Sequence, residues 1–330
     1  MSQSIKFMLV LVLSLVFQGC QSMSTLRSSP ADEIPESDLP VGFYSGKANQ
    51  NIFVDPYSQS VKTSGDPKKR VVVLNFWNAS PVKLDFLGPF AADELRRGLA
   101  ISQRVIFPTD AKTETTTEDY IQGDQVKVGQ LVREGRRLGV AVIVIGRVSK
   151  IVFRQKGDDV GIFRKKEALA AVEVEYKVFD VQSGREILAD SRFGEVVGTS
   201  LVVFEDSKIQ DPTYRADLIK GALRESIARI IPDVLIAVDK LSWQGRIARV
   251  QSDKIFINAG KTTGIMPGDI LLVQTQGDDI YDPQSGIYLG QAKGHSKGTL
   301  EVVDFLGTDG AIGKIHSGGN FKEGDLVQLY

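Results

Sequence analysis

Residues 172–178 read Val-Glu-Val-Glu-Tyr-Lys-Val, so Val172, Val174, Tyr176 and Val178 fall on one side of an extended chain and Glu173, Glu175 and Lys177 on the other. Strict alternation of this kind describes a strand with one covered face and one face turned to solvent or to a partner. The next five residues, Asp-Val-Gln-Ser-Gly at 180–184, form a turn in which Gly184 is free to adopt a positive φ. Residues 185–204 then return as the partner strand and a loop. A long half-polar hairpin has to be covered on its apolar side, and helices are the economical cover.

The flanking segments supply those helices and more strands. VVVLNF at 71–76 is a continuous apolar run suited to a buried strand. Over 87–102, Leu87, Phe90, Ala91, Leu95, Leu99 and Ala100 fall at helical spacing, with Pro89 acceptable in a first turn. A short strand at 104–107 and a polar loop at 109–123 follow. Residues 126–138 read as a second helix stopped by Gly139, and 140–146 as another buried strand that continues to Phe153. Residues 212–231 carry Tyr214, Leu218, Ile219, Leu223, Ile227 and Ile230 on one helical face. The order of elements predicts an α/β layer, a mixed sheet with helices.

After residue 240 the composition changes. Glycines become frequent, and strand candidates at 246–250, 254–257, 269–274, 298–304, 311–315 and 325–329 are separated by turn signals. That pattern predicts a small all-β barrel or sandwich. The expected organisation is a leader at 1–19, a tether at 20–69, an α/β domain at 70–240 and a small β domain at 241–330.

The start of the chain sets an expectation about location. Lys6 precedes an apolar run over 7–17, interrupted only by Ser14, and then come Gln18, Gly19 and Cys20, the only cysteine. Eleven residues are too few for a hydrocarbon core that needs about 20. The segment resembles a bacterial lipoprotein signal peptide, although Phe17 and Gln18 depart from the usual pattern before the cysteine. The resemblance implies cleavage before Cys20 and a lipid anchor on that residue. Gln21, in a place where aspartate tends to hold lipoproteins at the inner membrane, implies sorting to the outer membrane with the chain facing the periplasm. At about 0.8 kcal/mol per buried methylene, several acyl chains make release negligible. The covalent lipid on Cys20 is the only non-protein group expected; no cofactor is.

Residues 21–69 are mostly polar and cannot bury a core of their own. Phe43, Tyr44, Phe53 and Tyr57 are nonetheless too apolar for a purely solvated linker. Two readings stay open: a strap laid on its own domain or on a neighbouring subunit, and a loosely ordered tether. In the first reading these four aromatics are candidate subunit contacts.

Charge and residue chemistry exclude several function classes. Forty basic residues stand against 41 acidic ones, and loss of the leader removes only Lys6 among them, so bulk charge does not attract nucleic acid. One cysteine allows no intramolecular disulfide, and the fold rests on packing. Gly260, Lys261 and Thr262 imitate the end of a phosphate-binding loop, but Ile255 stands where the upstream glycine is required, and Pro267 and Gly268 deny the following helix. His295 and His316, the only histidines, sit in glycine-rich stretches expected to be loops, without further ligands at metal-binding spacing. Asp278, Asp279 and Asp282 lack the glycine and distal glutamate of a calcium loop and read as solvated hairpin charges. No nucleophile has an obvious base. The expectation is a protein that is not an enzyme.

Two family resemblances sharpen this. VVVLNF, LGVAVIVIGRV and VEVEYKVFDVQSGREIL, spread over about 70–237, resemble the CsgG-like lipoproteins of curli production and the related anticodon-binding-like domain of envelope proteins. NAGKTTGIMPGDILLV, YDPQSGIYLG and FKEGDLVQLY resemble the C-terminal domain of the flagellar assembly protein T family. The resemblances imply a homo-oligomeric ring subunit working with other envelope proteins in curli-type secretion or a flagellar basal structure. The alternative is a monomeric binding module that engages a peptidoglycan enzyme or another envelope partner. The secretion family inserts lipid-facing hairpins at the places that follow Val152 and Arg192 here. RQKGDDVGIFRKK at the first is too charged to face lipid, which argues against a pore.

Overall fold

The computed structural model describes residues 66–108, 115–123, 125–157, 164–202 and 211–330. The chain runs through β1 (Lys69–Val73), β2 (Trp77–Asn78), α1 (Leu87–Ile101), β3 (Val105–Ile106), β4 (Ile121–Gln122), β5 (Gln125–Val126) and α2 (Val128–Leu138). Three long strands follow, β6 (Val142–Gly157), β7 (Arg164–Asp180) and β8 (Glu186–Val202), and then α3 (Pro212–Asp239). They build a six-stranded mixed sheet in the order β3-β1-β6-β7-β8, with β2 also paired to β6. β1 is parallel to β3 and β6, while β6, β7 and β8 are antiparallel.

Helices cover the sheet where their apolar spacing fits it. α1 and α3 cover one face, where Leu87, Leu95 and Leu99 and then Leu223, Ile227 and Ile230 pack on Val142, Val144, Val172, Val174 and Val178. The opposite face is covered at one end only, by α2, through Leu131 against Val72, Leu74, Ile143, Ile145 and Phe179. α2 stops as expected at Gly139, whose φ is 66°. The Gly139 N–H donates to the Arg136 carbonyl at 3.1 Å and the Val140 N–H to that of Gly135 at 3.0 Å, the pairing that satisfies the last carbonyls of a helix.

α3 approaches β8 so closely that only glycine fits beneath it. A Cβ on Gly194 would collide with the Ala222 carbonyl and the Ser226 nitrogen. The turn between β7 and β8 is held by Asp180, whose side chain accepts from the Gln182 N–H at 3.2 Å, the Ser183 N–H at 3.1 Å and the Ser183 hydroxyl at 2.5 Å.

Three local expectations shift. The first strand ends at Val73, because Phe76 turns inward to 2% exposure and its N–H donates to the Gly88 carbonyl at the start of α1. The stretch expected as a loop contains a 3₁₀ turn, Thr117–Tyr120, and strand β4, whose partner β5 takes Val126, so that α2 begins at Val128 and not at residue 126. α3 continues through Pro232 to Asp239, since Val234, Leu235 and Val238 extend its buried face past the proline.

The remaining strands are β9 (Gly245–Gln251), β10 (Lys254–Ile257), β11 (Ile270–Gln274), β12 (Asp279–Tyr281), β13 (Tyr288–Gln291), β14 (Ser296–Leu306), β15 (Gly310–Gly318) and β16 (Leu326–Leu329). Six of them close into an antiparallel barrel in the order β10-β15-β14-β11-β16-β9, and these are the six strands anticipated from the sequence. Its interior is a separate cluster that includes Trp243, Ile247, Ile255, Leu271, Val273, Leu300, Val302 and Val327. β12 and β13 form a hairpin outside the barrel that grips α2: Arg136 Nη1 pairs with Asp279 at 2.6 Å, and Arg133 Nη1 donates to the Tyr281 hydroxyl at 2.9 Å. Among the described residues no helix is long and apolar enough to cross a membrane.

Candidate functional site

Beyond the reach of α2, the second face of β6, β7 and β8 stands open among the described residues. The strand register sets its side chains in cross-strand rows: Lys150, Glu173 and Phe193; Val152, Ala171 and Glu195; Arg154, Leu169 and Val197. A bulge between Val148 and Lys150 re-aims β6, so that Lys150, Val152 and Arg154 share this face while Ile151 and Phe153 pack toward the helices. Phe193 is 45% and Val197 53% exposed. The face is thus a mixture of apolar groups and charges of both signs, with a shallow cavity of about 340 Å³ over it. β8 pairs only with β7 among the described strands, which leaves a long sheet edge beside the face.

Next to this surface, toward the β4–β5 hairpin, lies a second cavity of about 400 Å³ lined by Thr117, Ile145, Arg147, Glu175, Lys177 and Ser191 among others. Arg147 pairs with Glu175 at 2.7 Å and Lys177 with Glu186 at 2.8 Å, so both cations of its lining are matched. On the covered face, Asp233 pins α3 to the sheet. It accepts from the Tyr176 hydroxyl at 2.8 Å and pairs with Arg192 at 2.6 Å. Burial, with Asp233 beside it, holds the Tyr176 hydroxyl protonated far above the usual tyrosine range. These contacts fasten α3 to the sheet.

The residues singled out earlier divide into two groups. Cys20, Gln21, Phe43, Tyr44, Phe53 and Tyr57 lie outside the described residues, as does the tip of the charged β6–β7 hairpin. The chemical candidates are seen, and none is assembled for chemistry. Lys261 stands in a 3₁₀ turn, Lys261–Thr263, with its ammonium over the Phe305 ring. His295 is an exposed residue just before β14; His316, expected in a loop, is on strand β15 and also exposed, because β15 runs on to Gly318. Asp282 accepts from the Gln284 and Ser285 N–H groups, which hold its carboxyl below the usual range, and Asp279 is paired with Arg136. Among the described residues no group of three or more potential ligands stands together to hold a metal ion.

The sequence marked the Glu173 side of β7 as a face turned to solvent or a partner, but not the part that β8 contributes. Its signal is the alternation of Gly194, Val196 and Gly198 with Phe193, Glu195 and Val197. Two glycines on one face of a strand mark the approach of a helix, so the other three side chains must point away from it.

No family model matches the chain and no curated protein does. Solved structures with similar regions include a hypothetical protein from Chlamydia trachomatis, 13% identical over 52% of this chain and 98% of that one, with a TM-score of 0.36. A lipoprotein from Neisseria meningitidis is 10% identical over 52% of this chain and 99% of that one, with a TM-score of 0.26. A PelC dodecamer from Paraburkholderia phytofirmans is 11% identical over 52% of this chain and 92% of that one, with a TM-score of 0.27. Bacterial lipoproteins recur among such neighbours. At these scores and identities the likeness carries no argument about this chain.

Proposed function

We propose that this protein is an outer-membrane lipoprotein, anchored through lipid on Cys20 and facing the periplasm, that acts without catalysis as a ring-forming component of cell-envelope assembly. The observation that carries this reading is the open face of β6–β8, with Phe193 and Val197 exposed beside the edge of β8 that pairs with no further described strand. A face with interspersed Lys150, Arg154, Glu173 and Glu195 suits a second copy of the chain, since each sign meets its opposite in the neighbour. The sequence resemblances add the finer reading: an anticodon-binding-like layer of the CsgG type, a barrel like that of flagellar assembly protein T, and a role in curli-type secretion or a flagellar basal structure. The ring is not itself a wide pore, because a single Arg or Lys at the bilayer midplane costs about 2–4 kcal/mol and the β6–β7 hairpin carries several. Phe43, Tyr44, Phe53 and Tyr57 are proposed to lie against the next subunit.

Multi-angle light scattering and electron microscopy of the detergent-extracted chain test this, together with bilayer conductance. A closed ring without large stable currents is expected, and Phe193→Asp with Val197→Asp should yield smaller species. Labelled fatty acid should enter the wild type and not Cys20→Ser, and density-gradient fractionation should place the protein with outer-membrane markers. The cavity of about 400 Å³ beside the β4–β5 hairpin favours the second reading, a monomeric binding module for another envelope protein. A strictly monomeric wild type would overturn the ring in its favour.

A further inference from the structure

Where the barrel meets the layer, three guanidiniums line one small cavity. Arg70 projects from the start of β1, Arg136 from the last turn of α2 and Arg246 from the start of β9. The space, about 60 Å³, holds about four water molecules or one tetrahedral oxyanion.

Of the three cations only Arg136 has an ion-pair partner among the described residues. Arg136 is matched by Asp279 at 2.6 Å. Arg70 Nη2 donates to the Asn258 carbonyl at 2.6 Å and Arg246 Nη1 to the Arg136 carbonyl at 3.0 Å. Neither Arg70 nor Arg246 forms an ion pair among the described residues, and each guanidinium has five N–H donors to place. Asp180, the one carboxylate in the lining, is engaged by its own turn. Asp309 is near enough to favour the Arg70 cation only in part, for burial still pulls its pKa down; burial and the neighbouring Arg136 do the same to Arg246. Two half-buried cations that donate to carbonyls and form no ion pair with a described residue leave donors for an anion to complete the site.

Neutral donors converge on the same space. Asn258 Oδ1 accepts from the Arg246 N–H at 2.7 Å, which leaves its Nδ2 to donate. Gln244 Nε2 donates to Gln182 Oε1, which leaves the Gln182 amide nitrogen to donate. Guanidiniums set among amide donors are the chemistry of oxyanion recognition. We propose that this seam binds a small oxyanion of the phosphate class, held by Arg70 and Arg246 with Asn258 and Gln182 as neutral donors. The bound anion bridges β1 of the layer to β9 and Asn258 of the barrel, and so couples their relative stability to ligand concentration.

The experiment uses the detergent-extracted full chain in a buffer free of phosphate and sulfate. Inorganic phosphate and sn-glycerol 3-phosphate are titrated at constant ionic strength with chloride as the control, read by calorimetry and by the thermal transition. Saturable binding of either phosphate, with a Tm rise that chloride does not give, is expected, and Arg246→Gln should weaken it at least tenfold. Tighter binding of the glycerol ester marks an esterified headgroup as the source, and equal binding marks free phosphate. Arg246→Lys should retain part of the affinity. If Arg246→Gln does not fold, Arg70→Gln takes its place with the same expected loss. Absence of saturable binding, or binding that a folded Arg246→Gln or Arg70→Gln leaves unchanged, would overturn the proposal.

Discussion

The barrel and the α/β layer treat their strand edges in opposite ways: β9 closes onto both β10 and β16, so every barrel strand has two neighbours, whereas in the layer β8 pairs only with β7 and β3 only with β1 among the described strands. The difference extends to the cores. The barrel buries its apolar side chains inside itself and needs no helix. The layer needs helices, and these cover one face completely and the other only as far as α2 reaches. Closure makes a self-sufficient module, while an open sheet with long strands is a surface held out to something else.

The largest effect should come from the barrel, where Lys297 pairs with Asp325 at 2.7 Å and their side chains are only 13% and 8% exposed. Lys297→Met removes the cation and leaves the buried Asp325 carboxylate with the Lys322 N–H, so a loss of about 3–5 kcal/mol is expected by chemical denaturation. Fragment 241–330 should unfold cooperatively by itself, and the same substitution should abolish that transition. A fragment with random-coil amide shifts would break the contrast by making barrel and layer one cooperative unit.

A smaller loss is expected in the layer. Gly194→Val forces α3 away from β8 against the backbone of Ala222 and should cost about 1–3 kcal/mol, or somewhat more if the helix cannot shift. Circular dichroism melts of the full chain would detect it. On the open face the comparison predicts a near-absence of effect: Phe193→Asp with Val197→Asp should change stability by less than about 0.5 kcal/mol each while changing the assembly state. A large destabilisation would mean that this face is covered within the single chain.

A comparably small effect concerns α2, the helix between the two regions. Arg137 pairs with Glu134 at 2.6 Å and holds its carboxyl below the usual range. The stability this pair adds is present above the ordinary carboxylate pKa and is lost as pH falls through the lower folded-state value. Because the pair is partly exposed, Glu134→Gln should cost only about 0.2–1 kcal/mol at neutral pH. The difference from wild type should vanish in melts at strongly acidic pH.

Much of this molecule is written in local pattern. Period-two alternation at Val172, Val174, Tyr176 and Val178, the Asp180 turn, the helical spacing of Leu87, Ala91, Leu95 and Leu99, the stop at Gly139 and all six barrel strands follow from residues within one or two turns of each other. What depends on distant partners was not legible. α3 passes through Pro232, although proline removes a helical hydrogen bond, because Val234, Leu235 and Val238 are buried and Asp233 is fastened by Tyr176 and Arg192. The open face exists because α2 is too short to cover it, a length visible in sequence whose consequence is not. Arg70, Arg136 and Arg246 stand far apart in the chain, and only the docking of β9 and the β12–β13 hairpin beside α2 makes them one site. Sequence by itself determined the elements, because strand and helix periods are set by neighbours along the chain. Closure, coverage and the arginine seam were decided by the tertiary structure, since each is a relation between surfaces that the chain brings together only on folding.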